Sequence, residues 1–215
     1  MIAIPVIFAY LIGSVPFGLI VCRIYGIKDI RQYGSGNIGA TNVWRIAGGK
    51  VASWVFAGDI LKGVLAVVFA GFFYNVIGVQ SIGLESFQVI CGFVAILGHV
   101  FPVYLKFKGG KGVNTALGVI VSLMPLETLV AFLIFVVVLL ISKYVSLGSM
   151  VAAVGFALFI FIEKFMLSKE IATVNLFLAI ILAFMILITH RHNISRILNG
   201  TENRFSFSSK GRNQQ

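Results

Sequence analysis

Six apolar runs, near 2–23, 51–74, 86–105, 113–141, 147–163 and 171–189, leave this chain few folds to choose from. A helix crosses a hydrocarbon core with about 20 mostly apolar residues, and only helices or closed barrels satisfy every backbone group there. Only 11% of the 215 residues are charged, 59% are hydrophobic, and the mean hydropathy is +1.03, well outside the soluble range. The expectation is an all-α, polytopic membrane helix bundle: one integral-membrane domain over residues 1–204, then a polar, basic tail over 205–215 suited to anionic headgroups. The first run has no basic residue before it and Arg23 just after it, so it reads as an uncleaved span. Cys22 and Cys91 lie in or at the ends of apolar runs without a CxxC spacing and read as packing residues.

The run 113–141 is too long for one ordinary span, and Met124, Pro125 and Glu127 stand near its middle. Proline breaks or kinks a helix, so the run predicts a short broken pair, giving seven spans in all. Charge supports that choice. With seven spans, Arg23, Lys28, Arg31, Arg45, Lys50, Lys106, Lys108, Lys111, Lys143, Arg191, Arg196, Arg204, Lys210 and Arg212 share one side, while only Lys164 and Lys169 face the other. That asymmetry places the N-terminus outside and the C-terminus in the cytoplasm. The net charge of +10 is thereby assigned to topology rather than to nucleic acid, for which no partner role is expected.

Three polar segments then fall on the cytoplasmic face: GSGNIGATNVWR at 34–45, KFKGGKGVNT at 106–115 and HRHNISR at 190–196, with Gly200 and Glu202 beyond it. Glycines allow close backbone approach, successive N–H groups form anion nests, and Arg or Lys adds charge. The pattern points to phosphate. Gly34, Gly36 and Gly39 fit GxGxxG, but no βαβ unit surrounds them; Lys111 is followed by Gly112 and lacks a Walker loop's upstream glycine. Tight connections carrying topological charge would explain any one loop, but less readily all three.

These three segments, with GSVPFG at 13–18, DILKG at 59–63 and GHVFP at 98–102, resemble in order and spacing the bacterial acyl-phosphate-dependent glycerol-3-phosphate acyltransferases. The likeness spans essentially the whole chain, with Asn114 the one small departure. It implies a multi-pass enzyme of the bacterial cytoplasmic (inner) membrane with its active site on the cytoplasmic face. The implied reaction moves a fatty acyl group from acyl phosphate to the 1-hydroxyl of glycerol 3-phosphate, giving lysophosphatidic acid and phosphate for phospholipid biosynthesis. Membrane lipid, a monomeric state and a soluble acyl-phosphate-forming enzyme upstream are implied as well.

On that resemblance Ser35, Arg45, Lys111, His190 and Asn193 are the expected catalytic residues. Gly34, Gly36, Asn37, Gly39, Thr41, Asn42, Gly109, Gly110, Gly112, Thr115, Ser149, Arg196 and Glu202 are expected to bind substrate. His190 is the side-chain candidate for general base, with His192 the fallback and the substrate's own phosphate the alternative proton acceptor. Ser146 or Ser149 adds to the pocket. Asp59 and Lys62, three apart in a span, predict an internal ion pair or a link to the site, and His99 reads as a packing residue. No His followed four residues later by Asp, no serine triad and no metal-ligand cluster is present in the sequence, so neither metal nor cofactor is expected. The competing readings are a membrane transporter of phosphate or a phosphorylated metabolite, and a scaffold without chemistry.

Overall fold

The computed structural model describes residues 2–79 and 81–206; the tail beyond, including Lys210 and Arg212, lies outside the described residues. Among these, ten α-helices and two 3-10 turns account for the regular structure. They are α1 Ala3–Ser14, α2 Phe17–Ile24, α3 Ala40–Ala47, α4 Gly49–Ile77, α5 Leu84–Val100, α6 Val113–Leu123, α7 Pro125–Ser142, α8 Val145–Phe165, α9 Thr173–Thr189 and α10 Arg191–Leu198. Four helical segments are each long and apolar enough to cross a membrane, and six if the bent pairs α1–α2 and α9–α10 each count as one. α6 is a shorter apolar helix.

The break at Met124 falls where the sequence predicts it: Pro125 takes the first position of α7, where its missing N–H costs nothing. Thr128 closes the junction by donating its hydroxyl to the Met124 carbonyl at 2.7 Å. The first run, by contrast, is not one helix. It bends by 42° between α1 and α2, because Pro16 cannot donate into the helical ladder. The bend leaves Val15 in a non-helical conformation, its carbonyl accepting from Lys62 Nζ at 3.0 Å.

The chain divides into two compact units, one running to Val119 and the other over Ile120–Ser206. In the first, α1 packs on α5 and α4 on α6 through glycines. A Cβ on Gly13 would lie 2.1 Å from the Ala95 carbonyl oxygen, and one on Gly118 would lie 2.1 Å from that of Ile60. Lipid supplies no hydrophobic drive between helices, so close backbone contact through small residues gives the dispersion energy instead. Ala9, Ala66, Ala70, Phe87, Cys91 and Ala95 form one buried cluster, and Leu19, Cys22, Ile30, Ile38, Val43 and Val55 contribute to a second beneath α2 and α3.

In the second unit α7, α8 and α9 pack in sequence. The α7–α8 connection turns at Lys143, which is left-handed with φ 61°. At the opposite end, Lys169 Nζ bridges Glu127 Oε1 at 2.9 Å and Glu163 Oε1 at 2.7 Å. Both carboxylates lie within apolar helices, and the shared cation offsets the cost of burying them. Exposed Phe177, Phe184 and Ile188 mark an outward stripe of α9, as a lipid-facing surface requires.

Candidate active site

In the first polar segment Asn42 is the centre of the fold. Its amide nitrogen donates to the carbonyls of Asn37 at 2.9 Å and Tyr33 at 3.0 Å, with a longer bond to Ile30, and its Oδ1 accepts the Ser35 N–H at 2.9 Å. A Cβ on Gly34 would sit 2.3 Å from that oxygen, and Gly34 is left-handed with φ 60°, so glycine is required twice over. Asn37 Oδ1 accepts the Gly39 N–H at 2.8 Å, fixing the residue that caps α3. The result is a loop with its side-chain amides committed to its own backbone. Ser35 is exposed on it, and Thr41 and Arg45 are half-buried on α3. The first-turn amides of α3, at the positive end of its dipole, follow Gly36 and Gly39. Ahead of the loop, Arg31 clamps Asp29 in an exposed ion pair and holds that carboxyl down at about 2.

The second segment is held differently. The Gly109 and Gly110 amides donate to the carbonyls of Val100 and His99, each at 3.1 Å, so the loop runs back along the end of α5. A Cβ on Gly110 would lie 2.1 Å from His99 Nε2, a contact no other residue permits. Gly112 caps α6 by accepting from the Ala116 N–H, and Lys111 stands half-buried just before it. Thr115 is fully buried, its carbonyl against Gly63 of α4, so its placement is within the helix contact rather than on the loop surface.

Sequence reasoning gave His99 only a packing role. The structure puts its Nδ1 3.4 Å from Asp59 Oδ1, and the same oxygen 2.9 Å from Lys62 Nζ. Asp59 and Lys62 do form the internal pair expected of two charges three apart on one helix. The missed signal was that a histidine at a span end, next to a glycine pair that returns toward it, offers that carboxylate a second partner.

The third segment centres on Glu202 in the second unit. Its side chain is 2% exposed; Oε1 accepts from Asn193 Nδ2 at 2.7 Å and Ser146 Oγ at 2.8 Å, and Oε2 accepts from Arg196 Nε at 2.6 Å. Burial pushes this carboxyl up, but the bonds from Asn193, Arg196 and Ser146 outweigh it and hold it below the ordinary range. The segment after α10 folds back so that the Phe205 N–H reaches the Lys143 carbonyl at 2.7 Å. Of the two serines on α8, Ser146 joins this cluster, whereas the Ser149 hydroxyl turns back to the Val145 carbonyl at 2.9 Å. His190, 3% exposed, ends α9; its Nδ1 is 2.8 Å from the Ile186 carbonyl. A carbonyl only accepts, so Nδ1 carries the proton and Nε2 is the basic nitrogen. His192, the fallback base, is exposed on α10.

The first unit thus places Arg45 and Lys111 at its two glycine loops, and the second places the His190 imidazole one helical turn before Asn193 of the carboxylate cluster. Among the described residues no group of three His, Cys, Asp or Glu side chains is placed to hold a metal.

Comparison with known proteins bears on these features. The family model for glycerol-3-phosphate acyltransferase matches residues 3–200. Glycerol-3-phosphate acyltransferase 2 of Bacillus anthracis is 47% identical over 94% of this chain and 97% of its own. The crystal structure of PlsY (YgiH), an integral membrane glycerol 3-phosphate acyltransferase, in its glycerol 3-phosphate form superposes with a TM-score of 0.82 at 39% identity, covering 95% of this chain and 96% of that one. Its lysophosphatidic acid form gives 0.80 at 38% identity, covering 95% of each chain.

Proposed function

The chain belongs to the glycerol-3-phosphate acyltransferase family, and from that premise we propose that it acylates the 1-hydroxyl of glycerol 3-phosphate with acyl phosphate as donor. The products are lysophosphatidic acid and inorganic phosphate. The observation that carries the reading is the family match over residues 3–200, which includes all of the first two polar segments and nearly all of the third. Support for the donor is chemical. Phosphate leaves readily from a mixed anhydride, so positioning and charge stabilisation supply most of the rate, and the residues on hand are cations, amides and one histidine.

In this mechanism the glycerol hydroxyl attacks the acyl carbonyl, charge builds on the carbonyl oxygen, and the phosphate bond breaks as the ester forms. Arg45, Lys111 and Ser35, with the first-turn amides of α3, hold phosphate and offset the developing charge. Arginine's planar fork suits a phosphate particularly well. His190 Nε2 takes the hydroxyl proton, or the departing phosphate does. Asn193, oriented by Glu202, positions the glycerol substrate, while Arg196 and Ser146 keep that carboxylate in place. Asn37 and Asn42 shape the first loop.

Residues 1–204 act as one domain in this reading. The α6–α7 pair completes seven spans, with the N-terminus outside and the C-terminus cytoplasmic, as the basic residues require. Working as a monomer in the bacterial inner membrane, the enzyme takes its donor from a soluble acyl-phosphate-forming enzyme and needs no cofactor. The test is phosphate release by purified protein given palmitoyl phosphate and glycerol 3-phosphate, with acyl-CoA in parallel. Release that depends on both substrates, with lysophosphatidic acid formed, is the expected result. Turnover of acyl-CoA alone would overturn the donor, and no release from folded protein would overturn the enzyme.

A further inference from the structure

Three ionisable side chains lie buried inside the first unit: Asp59, Lys62 and His99, at 2%, 1% and 4% exposure. Charge within a span is costly unless paired, and these three are paired through one oxygen, Asp59 Oδ1. What sets the cluster apart from a simple buried pair is where its ends reach. On one side, Lys62 Nζ donates to the Val15 carbonyl in the break before α2. α2 in turn lies on the first loop, for a Cβ on Gly18 would come 1.9 Å from the Ile38 carbonyl oxygen. On the other side, His99 holds the second loop twice, accepting the Gly110 N–H on its carbonyl and setting its ring against the Gly110 α-carbon.

We infer that Asp59, Lys62 and His99 form a buried brace that ties both glycine loops of the first unit to α4, and that they are positioning residues for acyl transfer. The inference rests on the function proposed above, because the loops it braces carry Ser35, Arg45 and Lys111. A pair that served span packing alone would have no need of the α1–α2 break or of the Gly110 backbone. Small displacements of groups that hold a reacting phosphate are expensive, since a shift of about 1 Å costs on the order of 100-fold in rate.

The test uses full-length protein in detergent carrying D59N/K62M, which removes both charges together and strands neither, and separately His99→Ala and His99→Asn. The Asn amide takes the place of Nδ1 and keeps the Asp59 contact. Four quantities are measured on each folded variant: amide exchange over 34–39 and 109–112, kcat, KM, and inhibition by inorganic phosphate. Exchange over both loops rises by about tenfold or more in D59N/K62M and His99→Ala, with α8 unchanged, if a tie of this kind is lost. With it kcat falls by on the order of 100-fold and phosphate inhibition weakens, and His99→Asn recovers part of each. Wild-type exchange over both loops in His99→Ala and D59N/K62M removes the brace. Faster exchange with wild-type kinetics and phosphate inhibition removes the positioning role. If the wild-type protein itself turns over no substrate while the loops still respond, the brace stands and the proposed function falls.

Discussion

Asn42 and Glu202 each gather a polar segment around one buried side chain, and they do it with opposite chemistry. Asn42 is neutral, spends its amide nitrogen on carbonyls and accepts a single N–H, so the loop is tied together without using any cation. Glu202 is anionic and collects three side-chain donors, one of them Arg196. The difference teaches what each kind of centre demands of its surroundings. Around Asn42 every tie runs between the side-chain amide and backbone, whereas around Glu202 Arg196 is paired and the amide and hydroxyl are fixed in orientation. A neutral centre ties a loop through its backbone alone, and a carboxylate centre needs side-chain donors brought to it from neighbouring helices.

The most damaging change to this contrast is Glu202→Ala, which strands Asn193, Ser146 and Arg196 at once. It is expected to cost about 3 kcal/mol locally, read as faster amide exchange across 191–205. Next comes Asn42→Ala, at about 2 kcal/mol, seen as earlier exposure of buried Cys22 to a thiol-reactive dye on heating. Asn42→Asp is expected to be worse than Ala, because it turns an oxygen toward carbonyls. Glu202→Gln should be milder than Glu202→Ala, since Oε1 still accepts. The reverse order at either position would break the comparison.

Acid separates the two centres without mutation. Glu202 is held below its ordinary value, so the stability it contributes is fully present above about pH 4.5 and lost as pH falls through the lower folded value. Asn42 does not titrate. Protection across 191–205, taken against the intrinsic exchange rate at each pH, therefore falls on acidification, while protection at Ser35 does not change. The smallest expected effect is Asp29→Asn, which removes an exposed ion pair and costs under about 1 kcal/mol in thermal unfolding, despite that carboxyl's low value.

Much of this was legible in the residues. The apolar runs gave the helices because hydrocarbon leaves the backbone no other partner, and Pro125 marked the break because Glu127 beside it disrupts the same run. Pro16 carried no such neighbour, so its bend was hidden in an otherwise apolar stretch whose freed carbonyl is satisfied from α4. Residue type and spacing named the members of each polar segment. They did not say that Asn42 binds its own loop, or that Ser146 rather than Ser149 reaches Glu202, because that depends on the fold-back after α10. His99 was underrated for a related reason: its partner, Asp59, is forty residues away on another helix.

The Lys62 bond to Val15 also bears on how the protein is made. A nascent α1–α2 segment entering the bilayer alone would present the Val15 carbonyl to lipid, opened by Pro16 and far from its eventual donor. Likewise α4 alone would bring Asp59 and Lys62 into hydrocarbon. The Val15 carbonyl is answered by Lys62 of α4, whose charge Asp59 shares, so the first and second hydrophobic segments are suited to leave the insertion machinery as a matched hairpin rather than one after the other.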